Sequence, residues 1–346
     1  MPGMLPVVLS VLSQLQTAPA TSTAPATRPG AVESQPATAT APAEPPPPKV
    51  VRWHGEYDQA AEEARKAGRL LLVIYYDPDA PASQTFEEMT LSDRQTREFL
   101  AGFAAVKLNA AKGPGEKRFA QTGAKEAPLT QVFSPDGELL DWRPGCMIPA
   151  AAFRERLASS LEYWKAANVK PFDPAARWRA VQARLKLATC QEAVPEIDKL
   201  LKLPAKKLPK DVTPALMHLT RGEALLLADP KRAEQSLQKV RELAAADAEL
   251  AGQAILLLAD MCFRAERCTQ ARDLCAEYIS SFPKAADVGR AYYTKAMVEF
   301  RGLKDAAAAG RTLKEFIEKY PDDRGVVEAK DLLDIIEPAE KKGPRK

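Results

Sequence analysis

Five cysteines, Cys146, Cys190, Cys262, Cys268 and Cys275, are the most reactive side chains in the sequence, and no two of them stand in a Cys-x-x-Cys spacing. Five is odd, so in an oxidising compartment at least one thiol stays free or pairs between chains. Cys146 follows Gly145 and has no partner motif. The chain has two histidines, His54 and His218, and no close His/Cys/Asp grouping, so neither a metal site nor a Ser-His-Asp arrangement can be assembled. Asp77 and Asp79 flank Pro78 and read as turn and cap residues rather than as paired acids. Ser83 has no adjacent base and reads as a small residue or cap at a helix start. The glycines form no phosphate-cradling loop, and Gly113-Pro114-Gly115 reads as a turn. No cofactor and no metal is implied.

The elements that would position these groups change character along the chain. Trp53 opens an ordered stretch, followed by a helix from about Tyr57 to Lys66 and the apolar run Leu70 to Tyr76, which reads as a buried strand. After Asp77 to Ser83 come a helix through Met89 and a second helix for which Ser92 and Gln95 form a capping box. A strand (Ala104 to Asn109), a helix (Gly115 to Thr122), the pair Ala127-Pro128, a hairpin turning at Pro135-Asp136-Gly137 and a last helix near Ala150 to Trp164 complete an α/β sheet domain. From Pro171 to Ile336 the strands give way to amphipathic helical stretches with short breaks.

A chain of 346 residues with 46% hydrophobic and 27% charged residues can fill two ordinary cores. Its 49 basic residues nearly balance 46 acidic ones and are spread along the chain, which argues against nucleic acid as a partner. No apolar run has the length of an integral membrane span. Residues 1–20 carry an apolar stretch from Met4 to Leu12 and a small-x-small site at Ala18-Pro19-Ala20, the form of a secretory signal, although no Lys or Arg precedes Arg28. Residues 21–49, rich in Ala, Pro and Thr and ending in Pro45 to Pro48, read as a disordered linker. The expected location is extracytoplasmic.

Trp53, the strand Leu71 to Tyr76, Met89-Thr90-Leu91-Ser92-Asp93, Pro128 and Ser134-Pro135-Asp136-Gly137 fall in an order that resembles the thioredoxin-like superfamily. The likeness is greatest to the divergent bacterial branch with a long helix before the first core strand, and covers about residues 50–166. It places the family's Cys-x-x-Cys pair on Ala80-Pro81-Ala82-Ser83, so both redox cysteines are absent. Thiol exchange needs a thiolate of lowered pKa and a second thiol to release the mixed disulfide, and this turn supplies neither. The resemblance also implies that Pro128 is cis and that the backbone of Ala127 is free to pair with an extended partner segment. The bland alternative is that Pro128 shapes the sheet edge.

In the second half, residues 171–337, the chain aligns on itself with a 38-residue period through Ala233, Ala271 and Ala309, and Phe282-Pro283 is answered by Tyr320-Pro321. This pattern resembles the tetratricopeptide repeat and implies three to four stacked helical hairpins, a capping helix from Gly325 to Ile336, and a charged tail at 338–346. By the repeat pattern the concave face carries Gln253, Leu256, Asp260, Phe263 and Arg264, then Arg290, Tyr293, Met297, Phe300 and Arg301. Arg264, Tyr293 and Arg301 are the candidate peptide-binding residues there; Phe263 and Phe300 also suit packing between helices. Cys262, Cys268 and Cys275 fall on core positions, with a disulfide from Cys262 to either of the others as the alternative.

Together these readings give an α/β thioredoxin-like domain followed by an all-α solenoid, with a disordered N-terminal leader. The expected function is a non-catalytic scaffold for protein or peptide partners. The rivals are an unusual thiol-disulfide protein working through Cys146 or the repeat cysteines, and a holdase for unfolded chains.

Overall fold

The computed structural model describes residues 50–144, 148–244 and 247–342, with side chains through residue 336. Both the leader and Cys146 lie outside the described residues. The front domain runs β1 (Trp53–His54), α1 (Tyr57–Ala67), β2 (Leu71–Tyr76), α2 (Pro81–Phe86), α3 (Arg94–Leu100), β3 (Ala104–Asn109), α4 (Gly113–Gln121), β4 (Leu129–Phe133), β5 (Leu139–Pro144) and α5 (Ala150–Ala167). One sheet results, in the order β1-β3-β2-β4-β5, with β2 parallel to β3 and antiparallel to β4.

Helices cover both faces of this sheet, which is why β2 is apolar without alternation. Leu72, Ile74, Ala105, Val132 and Leu140 pack with Phe86, Leu100, Phe153 and Leu157 on one side. Leu71, Val73, Tyr75, Val106 and Leu129 pack with Ala60 and Ala64 on the other. Lys107 breaks the apolar pattern of β3. Its Nζ sits 5.3 Å from the ring centroids of both Trp53 and Tyr76 and pairs with Glu87.

Two local expectations are corrected. Ser92 is not the cap of α3: Asp93 is, accepting from Thr96 N at 2.8 Å, while Ser92 closes a π-helical turn at Glu87–Leu91 and Gln95 accepts from Arg154. The carboxylate wins because it bonds the orphan amide and Arg154 together, and these contacts hold its carboxyl below the usual range. Gly113-Pro114-Gly115 is no free turn but the first turn of α4, with proline at the helix start where its missing N–H costs nothing. Gly115 is required there because a Cβ would lie 2.3 Å from Asn109 O.

Helices follow: α6 (Pro174–Leu185), a 3₁₀ turn (Cys190–Ala193), α7 (Val194–Leu201), α8 (Pro214–Leu225), α9 (Pro230–Leu243), α10 (Ala248–Arg264), α11 (Cys268–Ser281), α12 (Val288–Met297) continued as a π-helical turn (Val298–Gly302), α13 (Ala306–Lys319) and α14 (Val326–Lys342). Among the described residues α8–α9, α10–α11 and α12–α13 pack as successive helix pairs after α6 and α7, and α14 runs past Ile336 into the charged tail. Asp173 and Asp229 cap α6 and α9 ahead of their prolines. The 38-residue register marks the core seam: Ala233, Ala271, Ala309, Leu237, Cys275 and Leu313 are all at 0% exposure. Each aromatic one turn further on needs a glycine opposite. A Cβ on Gly252 would meet Tyr278 at 2.8 Å, and one on Gly289 would meet Phe316 at 2.8 Å. Arg267 grips Glu234 through two bonds of 3.0 Å, and Tyr320 Oη donates to Pro283 O at 3.0 Å, tying one aromatic-proline end to the next.

A polar seam joins the sheet to the helices. β5 is an edge strand, and its free edge is covered: Thr189 Oγ1 donates to Leu140 O, and Ala188 N donates to Asp141 Oδ1 at 2.8 Å. Asp141, 3% exposed, is also gripped by Arg156 from α5. Arg184 of α6, 1% exposed, lies with its guanidinium 4.4 Å from the Tyr163 ring and donates to Glu138 at 3.1 Å and to Thr189 O at 3.2 Å.

Candidate functional site

β2 ends at Tyr76, and the chain turns through Asp77 to Ala80 into α2. Asp77 Oδ1 accepts from Asp79 N at 3.0 Å, and Ala80 N donates to Asp77 O at 3.1 Å, so the two aspartates form a turn and no acid pair. Ser83, 5% exposed, accepts from Asp77 N at 3.1 Å, and Gln84 donates to Pro78 O at 2.9 Å. The hydroxyl thus fastens the turn. No base contacts it among the described residues. Pro81 occupies the first position of the helix, Ala82 is half-buried, and the half-buried Ala80 presents a methyl group at the helix tip.

The Ala127-Pro128 bond is cis. Leu129 pairs with Tyr75, which sets Pro128 abreast of Tyr76 at the same sheet end as the Asp77–Ser83 turn. Pro128 is buried and Ala127 half-buried, and neither N–H nor C=O of Ala127 is hydrogen-bonded to a described residue. Beside this end the Lys107–Glu87 pair anchors the π-helical turn, Thr90 Oγ1 donates to Ile148 O at 2.9 Å, and Met89 stands 68% exposed. The Lys107 cluster escaped sequence reasoning; a lysine inside an otherwise apolar strand was its one signal.

The residues expected on the repeat face differ in their exposure. Leu256 is 3% exposed, so it does not line a free concave face. Phe300 packs against the core of the last hairpin, and Phe263 lies against Gly302, so both fill space between helices. Arg264 is bound to Asp260 at 2.9 Å on its own helix, Tyr293 packs half-buried on the last core, and Arg301 is exposed yet engaged. The four described cysteines are free, so the disulfide from Cys262 does not form. Burial raises the Cys262 and Cys190 thiols and pushes Cys275 up to about 12, the reverse of what a nucleophilic thiolate needs. Among the described residues no group of His, Cys, Asp or Glu could hold a metal, and no helix is long and apolar enough to cross a membrane.

Residues 52–135 match a family model described as thioredoxin-like. Among solved structures, the chain is similar to a thioredoxin from Thermus thermophilus at 22% identity, covering 35% of this chain and 94% of that one with a TM-score of 0.32. It is also similar to a DsbH oxidoreductase at 15% identity, covering 36% and 94% with a TM-score of 0.30. A comparison with curated proteins finds no match. The front domain is thioredoxin-like, and the described residues from Pro174 onward form a helix-rich region consistent with repeat-like hairpins.

Proposed function

We propose that this chain is a non-catalytic scaffold that holds protein or peptide partners, with an extended segment docked against Ala127 and the helical hairpins as a second platform. The observation that carries this reading is that, among the described residues, the backbone of Ala127 has no hydrogen-bond partner, beside a cis proline and a helix tip formed by Ala80 to Ser83. An open strand-end amide and carbonyl can accept an added strand, and main-chain bonds supply affinity with little demand on sequence. Electron exchange has no such support, because the tip carries Ala80 and Ser83 and the thiols of Cys190, Cys262 and Cys275 are raised by burial. An extracytoplasmic location, from the leader, belongs to the same proposal.

Two measurements test it. The wild type leaves insulin reduction by a small thiol unaccelerated, whereas the Ala80→Cys/Ser83→Cys double variant accelerates it, because the turn and the cis proline are already in place. Peptides selected from a random extended library lose at least about tenfold in affinity on Ala127→Trp. Insulin reduction by the wild type that vanishes on Cys146→Ser overturns the reading in favour of a thiol-disulfide enzyme. Binding confined to denatured clients points instead to a holdase.

A further inference from the structure

We propose that the loop between α7 and α8, Lys202 to Lys210, is a docking surface for an anionic lipid membrane. Within these nine residues lie Lys202, Lys206, Lys207 and Lys210, all exposed, and none has an ion-pair or hydrogen-bond partner among the described residues. Neighbouring cations are paired. Lys199 binds Glu196 at 2.6 Å, and Arg221 binds Asp198 at 2.8 Å. The acids of α7 are therefore occupied, and Asp211 is the one acidic residue adjoining the loop in sequence.

The loop is held in shape from beneath. Leu201, Leu203 and Leu208 pack onto the core formed by Trp178, Val181, Ile197, Leu200 and Val212, and a 3₁₀ turn at Ala205–Lys207 lies between Leu203 and Leu208. With the leucines packed largely inward, the exposed residues of the loop are its four lysines with Pro204 and Ala205, so ammonium groups dominate the surface and no large apolar side chain stands free to insert. Four like charges on one short loop repel, and an external polyanion relieves that repulsion.

The chemistry of the patch selects the polyanion. Lysine ammonium groups are hydrated point charges, suited to a diffuse field of anionic headgroups, whereas a defined acidic peptide is better held by arginine forks or a groove. The loop itself has no arginine and no aromatic residue. A membrane surface also repays each lysine separately, so no fixed geometry is needed. The contact is peripheral, without insertion, and weakens as salt screens the charges.

Vesicle sedimentation of the full chain tests this. Wild type should bind vesicles of equimolar phosphatidylglycerol and phosphatidylcholine about a thousandfold more tightly than pure phosphatidylcholine at low salt, roughly fivefold for each lysine, and should detach in high salt. The Lys202→Gln/Lys206→Gln/Lys207→Gln/Lys210→Gln variant should lose that preference with an unchanged thermal transition. A charge-matched control, Lys112→Gln/Lys117→Gln/Lys125→Gln/Lys165→Gln, changes exposed lysines elsewhere and should keep it. Equal loss in both variants reduces the effect to net charge and overturns the proposal. So does failure to bind anionic vesicles while polyglutamate is captured through the same four lysines.

Discussion

Asp141→Leu is expected to be among the most damaging single changes in this protein. The carboxylate is 3% exposed and accepts from Arg156 Nη2 at 2.6 Å, from Arg156 Nε, and from the N–H of Ala188 at 2.8 Å. Deleting it leaves a guanidinium whose side chain is 13% exposed with its bond to Trp142 O but no counter-charge, and orphans a backbone amide on the helical side of the seam. Breaking one partner of a buried pair costs about 3–5 kcal/mol, a large share of the ~5–15 kcal/mol that holds a protein folded. Arg156→Met should cost a similar amount by leaving the carboxylate unmatched. The Asp141→Leu/Arg156→Met double variant removes both charges together, and its remaining deficit is about 1–3 kcal/mol from the unsatisfied Ala188 amide. Urea unfolding followed by far-UV circular dichroism supplies the three numbers, and at a slope near ~3 kcal/mol/M each single variant moves the midpoint by more than about 1 M. If Asp141→Leu costs less than about 1 kcal/mol, or if the two single losses simply add in the double variant, the seam is not the buried ion pair described.

Glu223 is pushed up to about 7 by burial from an ordinary value of 4.5. The folded state then holds an extra proton between those values, so stability declines as pH rises from about 4.5 to 7, by at most about 3 kcal/mol. Glu223→Gln should flatten that slope in thermal melts and make the protein more stable than wild type at pH 8; an unchanged slope would refute the assignment. Gly289→Ala places a Cβ 2.8 Å from Phe316 Cζ and should cost about 1–3 kcal/mol by chemical denaturation. The same Cβ would lie 2.8 Å from Asp323 Oδ1, so Gly289→Ala should cost less in a Phe316→Leu/Asp323→Ala background, and an equal cost there would show that neither side chain is the obstacle. Cys275, pushed up to about 12 and fully buried, should resist a maleimide at pH 8 in the native state and react on unfolding, as read by mass spectrometry. Native labelling at the rate of a free thiol would contradict that burial.

Much of the fold was legible because periodicity and punctuation are local. The unbroken apolar run of β2 announces a strand covered on both faces, and the spacing of Ala233, Ala271 and Ala309 announces stacked hairpins. Asp173 and Asp229 ahead of proline mark helix starts for the same reason, since a capping carboxylate acts within three residues. Cap choice was less legible. Ser92 and Asp93 are both good caps, and the decision went to Asp93 through Arg154, which is 61 residues away in sequence.

Chain order alone determined that a thioredoxin-like sheet precedes a helical repeat and that the turn from Asp77 to Ser83 has no cysteine in its sequence, because residue identity needs no third dimension. Tertiary structure decided what those residues can reach. Only the folded chain shows that Ser83 is spent fastening Asp77, that Leu256 is covered, that Arg264 is held by Asp260, and that Arg184, Ala188 and Thr189 close the β5 edge. Those outcomes depend on burial and on pairs far apart in sequence, and packing between elements sets both.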